Sequence, residues 1–171
     1  MSLLKNLFKT TKDTPAFAVE TVPGTIYAPI TGSAVSLSEI NDGVFSEGIL
    51  GQGCGIQPSA ETIYAPFDGT IVQIADTKHA IGIMSPDNIA LLIHVGIDTV
   101  SMNGKGFHVH VATGEHVKCG QKLLTFSQKE IKAAGFRSTV AIIVTNPDEH
   151  QTIKLCSTGP INHAEQLLIV R

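Results

Sequence analysis

From Phe17 onward the apolar residues fall in short blocks cut by turn residues. No stretch there keeps the 3.6-residue spacing of a long amphipathic helix. The pattern predicts strands joined by tight turns. The clearest case is His79-Ala-Ile-Gly-Ile-Met84, then Ser85-Pro-Asp-Asn88, then Ile89-Ala-Leu-Leu-Ile-His94. Both flanks are apolar apart from the histidines. Proline presets φ in the turn, and Asp and Asn tolerate left-handed backbone. A symmetric hairpin pairs Met84 with Ile89 and sets His79 directly across from His94. Opposed residues on one face have Cβ atoms roughly 4.5–5.5 Å apart, so two imidazoles are predicted side by side. A bulge would break that register. Further strands are predicted over residues 105–111, 121–126, 139–144, 152–156 and 167–171. One short helix is predicted over residues 128–134, with Ser127 and Glu130 as a capping box and Gly135 just past its end.

An internal echo organises the rest. Ile26-Tyr-Ala-Pro-Ile-Thr-Gly32 recurs as Ile63-Tyr-Ala-Pro-Phe-Asp-Gly69. Each copy has a strand end, a proline that cannot donate to a ladder, a turn and a new apolar strand. Two such units packed together make an antiparallel β-sandwich. The fold class is therefore all-β, a duplicated hybrid-motif sandwich with one or two short helices. Gly51-Gln-Gly-Cys-Gly55 suggests bulges or close backbone approach, because no helix pattern follows it to make a phosphate loop. The sandwich domain is expected over residues 17–171. Residues 1–16 read as a tail. Its Leu3, Leu4, Leu7 and Phe8 interleave with Lys5, Lys9 and Lys12, which suggests weak contact of residues 2–12 with an anionic membrane.

Composition narrows the classes. The chain has 171 residues, 43% of them hydrophobic and 16% charged, which suits one globular domain with a real core. The net charge of −3, without a basic stripe, argues against nucleic-acid binding. Cys54, Cys119 and Cys156 share no metal or redox spacing and read as small apolar residues of a reducing compartment. No run resembles a secretion signal or a membrane span, so a cytoplasmic location is expected.

A histidine pair at a strand end can hold a phosphoryl group, a metal or a proton. The apolar run before His94 places its imidazole in a shallow greasy depression. Gly96 lets a partner or an oxyanion approach the backbone. Asp98 and Thr99 put an anion and a hydroxyl at the rim. A nucleophilic imidazole needs one nitrogen free and the other fixed by a hydrogen bond. A neighbouring imidazole can then donate to the phosphoryl oxygens, and Thr77 is placed to orient His79 for that role.

The heptapeptide His94-Val-Gly-Ile-Asp-Thr-Val100 resembles the signature of the glucose-type enzyme IIA domain of the bacterial phosphoenolpyruvate-dependent sugar phosphotransferase system. Thr77-Lys-His79-Ala80, Ala28-Pro-Ile-Thr-Gly32, Val44-Phe45-Ser-Glu47, Gly51-Gln-Gly53, Ala65-Pro-Phe-Asp-Gly69 and Gly104-Lys-Gly106-Phe107 extend the likeness across roughly residues 20–171. The resemblance implies a phosphocarrier. It would accept a phosphoryl group from the histidine phosphocarrier protein HPr on His94 and pass it to a cysteine of an enzyme IIB domain of a sugar permease. It implies that His79 stabilises the phosphoryl group, that Asp42 and Asp98 meet a basic residue of HPr, and that Phe45 belongs to an apolar ring covered by both partners. No cofactor is expected. Two histidines are an incomplete zinc site, so any zinc at His79 and His94 would depend on a partner's carboxylate. The chain resembles the standalone form of the family.

Two other classes compete. His108-Val-His110 is an H-x-H pair on one strand face and could serve a zinc endopeptidase, but no H-x-x-x-D accompanies it. The Ala-Pro-x-x-Gly repeats suggest a lipoyl- or biotinyl-type carrier, but the hairpin tip Ser85-Pro-Asp-Asn88 has no lysine to modify. His116, His150 and His163 carry no partner pattern.

Overall fold

The computed structural model describes residues 19–171. The tail expected at residues 1–16, its membrane-facing stripe at 2–12 and the start of the domain at residue 17 lie outside the described residues. Every strand pairing within them is antiparallel.

The repeated heptapeptide is also a repeated hydrogen-bond scheme. The first copy spans β1 (Thr25–Tyr27) and leads into β2 (Gly32–Ser36). The second spans β4 (Thr62–Tyr64) and leads into β5 (Gly69–Ile74). Between them the proline corners interlock: the Tyr27 amide donates to Pro66 O at 3.0 Å, and the Tyr64 amide to Pro29 O at 2.9 Å. Proline has no N–H of its own, so only its carbonyl can serve at such a crossing. Each copy is completed by a distant tight turn. Ala28 N–H donates to Glu165 O and Ala164 N–H returns to Ala28 O. Ala65 N–H donates to Gln121 O and Gly120 N–H returns to Ala65 O. The sixth residue of each motif caps its turn from the side chain. Thr31 Oγ1 accepts from the His163 amide, and Asp68 Oδ1 from the Cys119 amide.

The remaining strands are β3 (Gln52–Pro58), β6 (Ala80–Met84), β7 (Ala90–Ile97), β8 (Phe107–Val109), β9 (His116–Val117), β10 (Lys122–Phe126), β11 (Arg137–Val144), β12 (Ile153–Leu155), β13 (Gly159–Ile161) and β14 (Gln166–Val170). The large sheet runs β13-β2-β3-β11-β7-β6-β5-β9. Two three-stranded sheets, β1-β14-β12 and β4-β10-β8, complete the sandwich. Read from either end, the large sheet places the strands of the two copies at matching positions, with β11 and β7 in the middle.

One core joins all three sheets. Ile26, Leu168 and Val170 come from one small sheet, Ile63, Leu124 and Phe126 from the other, and Ile56, Ile83, Ile93 and Ile142 from the large one. On β7 the alternate residues Leu91, Ile93 and Val95 enter this core, whereas Leu92 and His94 face the other way. That outer face is covered in part by a second cluster of Ile40, Phe45, Ile97, Ala141 and Ile143, against which Leu92 packs. Ile40 and Phe45 come from the connection between β2 and β3, whose 3-10 turns Leu37–Ile40 and Phe45–Glu47 fold back over the sheet. Gly55 makes room for it, since a Cβ there would meet Ile40 Cγ1 and Val35 Cγ2 at 3.0 Å.

Helix α1 (Gln128–Ala133) forms where predicted, with the Glu130 amide donating to Ser127 Oγ at 3.2 Å. The reciprocal half of the expected capping box does not form, because the Ser127 amide donates instead to Gly106 O at 2.9 Å. Among the described residues no helix is long and apolar enough to cross a membrane.

The β6–β7 hairpin exists, but its register is one residue from the symmetric one. Met84 pairs with Ala90, and Ala80, not His79, pairs with His94. Asn88 takes left-handed backbone at φ +67°, and the loop closes through Ser85 N–H to Ile89 O at 3.0 Å. This is a type I turn followed by a left-handed residue, which inserts one more residue than a symmetric four-residue turn.

Candidate active site

His94 sits near the end of β7 with an alanine on either side, since Ala80 of β6 and Ala141 of β11 are its paired neighbours. Two methyl groups thus flank the imidazole, and the ring is half-buried. The strand then bends at Gly96, whose φ is +81°. The bend brings Gly96 O back to His94 Nδ1 at 2.8 Å. A Cβ at position 96 would meet Thr99 Cγ2 at 2.2 Å, so glycine is required by space as well as by φ. Thr99 secures the bend with Oγ1 donating to Val95 O at 2.5 Å. A carbonyl can only accept, so His94 carries its proton on Nδ1 and presents a bare Nε2.

His79 reaches the His94 ring despite the changed register. It is a bend residue ahead of β6, following Lys78 in left-handed backbone at φ +62°. Outside the strand it escapes the up–down alternation that would send it to the opposite face. Its carbonyl accepts from the Val95 amide at 2.8 Å, and its Nδ1 lies 2.8 Å from Thr77 Oγ1. The two imidazole centroids are 4.6 Å apart with planes at 80°. Phe45 stands edge-on to His94 at 4.9 Å, and Phe107 to His79 at 6.4 Å.

The electrostatics favour neutral rings. Burial and the adjacent His79 push the His94 pKa down from 6.5 to about 4, and the bond to Gly96 O and the nearby Asp42 charge offset this only in part. Burial also lowers the His79 pKa, against a smaller opposing effect of Thr77. Asp42 has a local task beyond the one the resemblance implies. Its carboxylate accepts from the amides of Val44, Phe45 and Ser46 at 2.9–3.2 Å and so shapes the turn that carries Phe45. Burial raises its pKa, but these bonds together outweigh burial and hold it below 3.8. Asp98 is exposed, in left-handed backbone at φ +64°, where Asp is among the few tolerated side chains. Val44, Ile49, Leu50 and Val100, on the segments bearing Phe45 and following Asp98, are exposed large apolar residues.

The structure thus brings together His79, His94, Thr77, Phe45 and Gly96, with Asp42 close enough to act on His94. The sequence reading missed Ala80 and Ala141, which flank His94, and Phe107 beside His79. Strand pairing reveals the two alanines and a ring contact across the sheets reveals Phe107, because an alanine or phenylalanine in an apolar run carries no local signal. His108 and His110 lie 4.9 Å apart on and beside β8, in a different sheet, with His110 Nε2 3.0 Å from Thr125 Oγ1. Among the described residues no three His, Cys, Asp or Glu side chains gather as a metal site. The hairpin tip is held by Asp87 accepting from the Gly24 amide at 2.6 Å.

Residues 24–150 match the family model for the phosphoenolpyruvate-dependent sugar phosphotransferase system, EIIA 1. The glucose-specific EIIA component of Bacillus cereus is 42% identical over 76% of this chain and 79% of its own length. The beta-glucoside-specific EIIBCA component of Bacillus subtilis is 40% identical over 84% of this chain but only 24% of its own length. The chain therefore spans about a quarter of the multidomain relatives it matches, in which this domain is joined to others. The glucose permease IIA of Mycoplasma capricolum superposes with a TM-score of 0.79 at 32% identity, covering 85% of this chain and 94% of that one. Sequence and fold converge: the chain belongs to the glucose-type EIIA family, the phosphotransferase components of the sugar phosphotransferase system that fold as this antiparallel β-sandwich.

Proposed function

We propose that His94 Nε2 accepts a phosphoryl group from phosphorylated HPr and donates it to a cysteine of an enzyme IIB domain, in the cytoplasm, during sugar uptake. The supporting observation is His94 Nδ1 held by Gly96 O at 2.8 Å, which leaves Nε2 of that ring for the phosphoryl group, with the His79 ring centroid 4.6 Å away. In the first step the P–N bond of the donor histidine breaks and a bond from phosphorus to His94 Nε2 forms. The His94 ring then carries positive charge and keeps its proton on Nδ1, where Gly96 O stabilises it. In the second step a cysteine thiolate attacks phosphorus, the P–Nε2 bond breaks, and His94 departs as a neutral ring. No proton need be removed from His94 in either direction, so alignment and charge neutralisation do most of the work.

His79 is the phosphoryl stabiliser. When Thr77 Oγ1–H donates to its Nδ1, 2.8 Å away, its Nε2 carries the proton that bonds the incoming oxygens. The dianion also raises the affinity of His79 for a second proton. Asp42, Asp98 and Phe45, with the exposed Val44, Ile49, Leu50 and Val100, form a docking face of apolar surface and acidic groups for a basic partner, suited to serial, short-lived encounters. Residues 2–12 add weak contact with an anionic membrane. A partner's carboxylate would complete a zinc site with His79 and His94.

Incubation with phosphoenolpyruvate, enzyme I and HPr should add one acid-labile phosphoryl group, read as a single mass increment absent from His94→Gln. His79→Gln should gain the group yet pass it to a IIB domain slowly. A wild-type chain that gains no mass refutes the reading.

A further inference from the structure

The connection between β2 and β3 carries Asp42 and Phe45, yet its own hydrogen bonds largely close on themselves. Glu39 bonds back to Ser36, Asp42 bonds forward to residues 44–46, and Gly48 and Gly51 donate within the turn. Among the described residues, Arg137 supplies the polar tie between this connection and the sheet it covers. From the first residue of β11 its guanidinium donates to Ile40 O at 2.8 Å and to Asn41 O at 3.3 Å, across nearly a hundred residues of chain. These are the carbonyls at the end of the Leu37–Ile40 turn, immediately before Asp42. Asn41 itself turns the chain in left-handed backbone at φ +50°, so its carbonyl direction is set at the point where Arg137 takes hold.

The same residue also abuts the other wall of the site. Arg137 pairs with Ile97, and its carbonyl lies 3.1 Å from where a Cβ of Gly96 would stand. Its backbone therefore borders the bend that holds His94 Nδ1, while its side chain holds the loop that brings Phe45 to 4.9 Å from His94. A planar fork can span two successive carbonyls, whereas a lysine ammonium acts from one point.

Resting on the phosphocarrier reading, we propose that Arg137 is a positioning residue. It clamps the Asn41–Phe45 segment to β11, the neighbour of the strand that carries His94, and so sets the fit of the docking face around His94. Its effect falls on partner affinity and on the Asp42–His94 interaction, and the transfer step itself is left to the two histidines. Preorganising a docking loop favours binding by sparing the ordering cost when the partner arrives.

The test compares wild type, Arg137→Met and Arg137→Lys in the full chain, with thermal melts to establish folding. Initial rates of phosphoryl acceptance are measured across concentrations of phosphorylated HPr. For Arg137→Met the KM should rise about five- to tenfold while kcat changes less than twofold, the size expected for one or two lost hydrogen bonds felt only in docking. Arg137→Lys should fall between the two. In NMR titrations, His94 of Arg137→Met should protonate at lower pH than in wild type, because Asp42 is no longer held near it. If Arg137→Met does not fold, Arg137→Lys and Arg137→Gln carry the same comparison. A folded variant with wild-type KM and wild-type His94 titration overturns the proposal, as does a loss confined to kcat. Should wild type itself accept no phosphate, the phosphocarrier reading fails, and the His94 titration still decides whether Arg137 sets the loop.

Discussion

Acid should destabilise this fold through His94 in a defined window. In the folded chain burial and the neighbouring His79 depress the His94 pKa from 6.5 to about 4. A depressed histidine pKa means that the unfolded chain binds the proton more readily. Stability is therefore complete above pH 6.5, declines as pH falls toward 4, and flattens below it. In that window one such group contributes a slope of about 1.4 kcal/mol per pH unit. By pH 5 the loss is about 2 kcal/mol, trimmed toward about 1 kcal/mol because the ring keeps some solvent contact. His79, also depressed by burial, adds in the same direction. The assay is urea unfolding at pH 7.5, 6 and 5, with wild type and His94→Gln side by side. The wild-type midpoint should drop with pH more steeply than that of His94→Gln, and the gap should be smallest at pH 7.5. Parallel curves over this range would show that His94 is not held neutral by its surroundings. A bare Nε2 on His94 would then lack electrostatic support.

Three other outcomes follow from the geometry. Gly96→Ala forces a Cβ into Thr99 at a left-handed φ and should cost about 2 kcal/mol or more in urea unfolding, with loss of phosphoryl acceptance because the Gly96 carbonyl no longer fixes His94. Thr77→Val removes the hydroxyl on His79 Nδ1. It should leave acceptance near wild type and slow donation to a IIB domain about tenfold, read by rapid-quench transfer. Ala164 occupies left-handed backbone at φ +71° where the other copy of the turn has Gly120, so Ala164→Gly should raise stability by about 0.5–1 kcal/mol in the same unfolding assay.

The repeat, the hairpin and the short helix were legible because each rests on local chemistry: proline corners, a Ser-Pro-Asp-Asn tip, a serine cap. His79 meets His94 in the structure, but not through the register a symmetric turn predicts. A symmetric turn would set it across from His94. Instead Asn88 adds a residue to the turn, and by simple alternation that shift would turn His79 away from His94. The left-handed Lys78 takes His79 out of the strand and restores the meeting of the rings. Neither left-handed residue is forced by its own sequence, because Asn only tolerates that backbone and Lys seldom adopts it. The role of Asp42 in its own turn was hidden for another reason. A carboxylate three residues before a phenylalanine reads equally well as a rim charge or as a cap, and only the fold-back of the loop decides.

The symmetry of the large sheet explains why the site lies where it does. β2 and β3 of the first copy and β5 and β6 of the second occupy matching places on either side of β11 and β7. The repeated proline corners are equivalent in their hydrogen bonds and build the scaffold. The two connections are not equivalent. Residues 37–51 form a long one that folds over the sheet face and delivers Phe45 and Asp42. Residues 75–79 form a short one that delivers Thr77 and His79. His94, on a central strand, is the position that both can reach. A duplicated scaffold gives rigidity at both ends of the sheet, and chemistry arises where the copies differ. On this argument, grafting the short connection in place of residues 37–51 should leave a folded sandwich whose His94 still carries its Gly96 bond but has lost the aromatic and acidic wall that partners must cover.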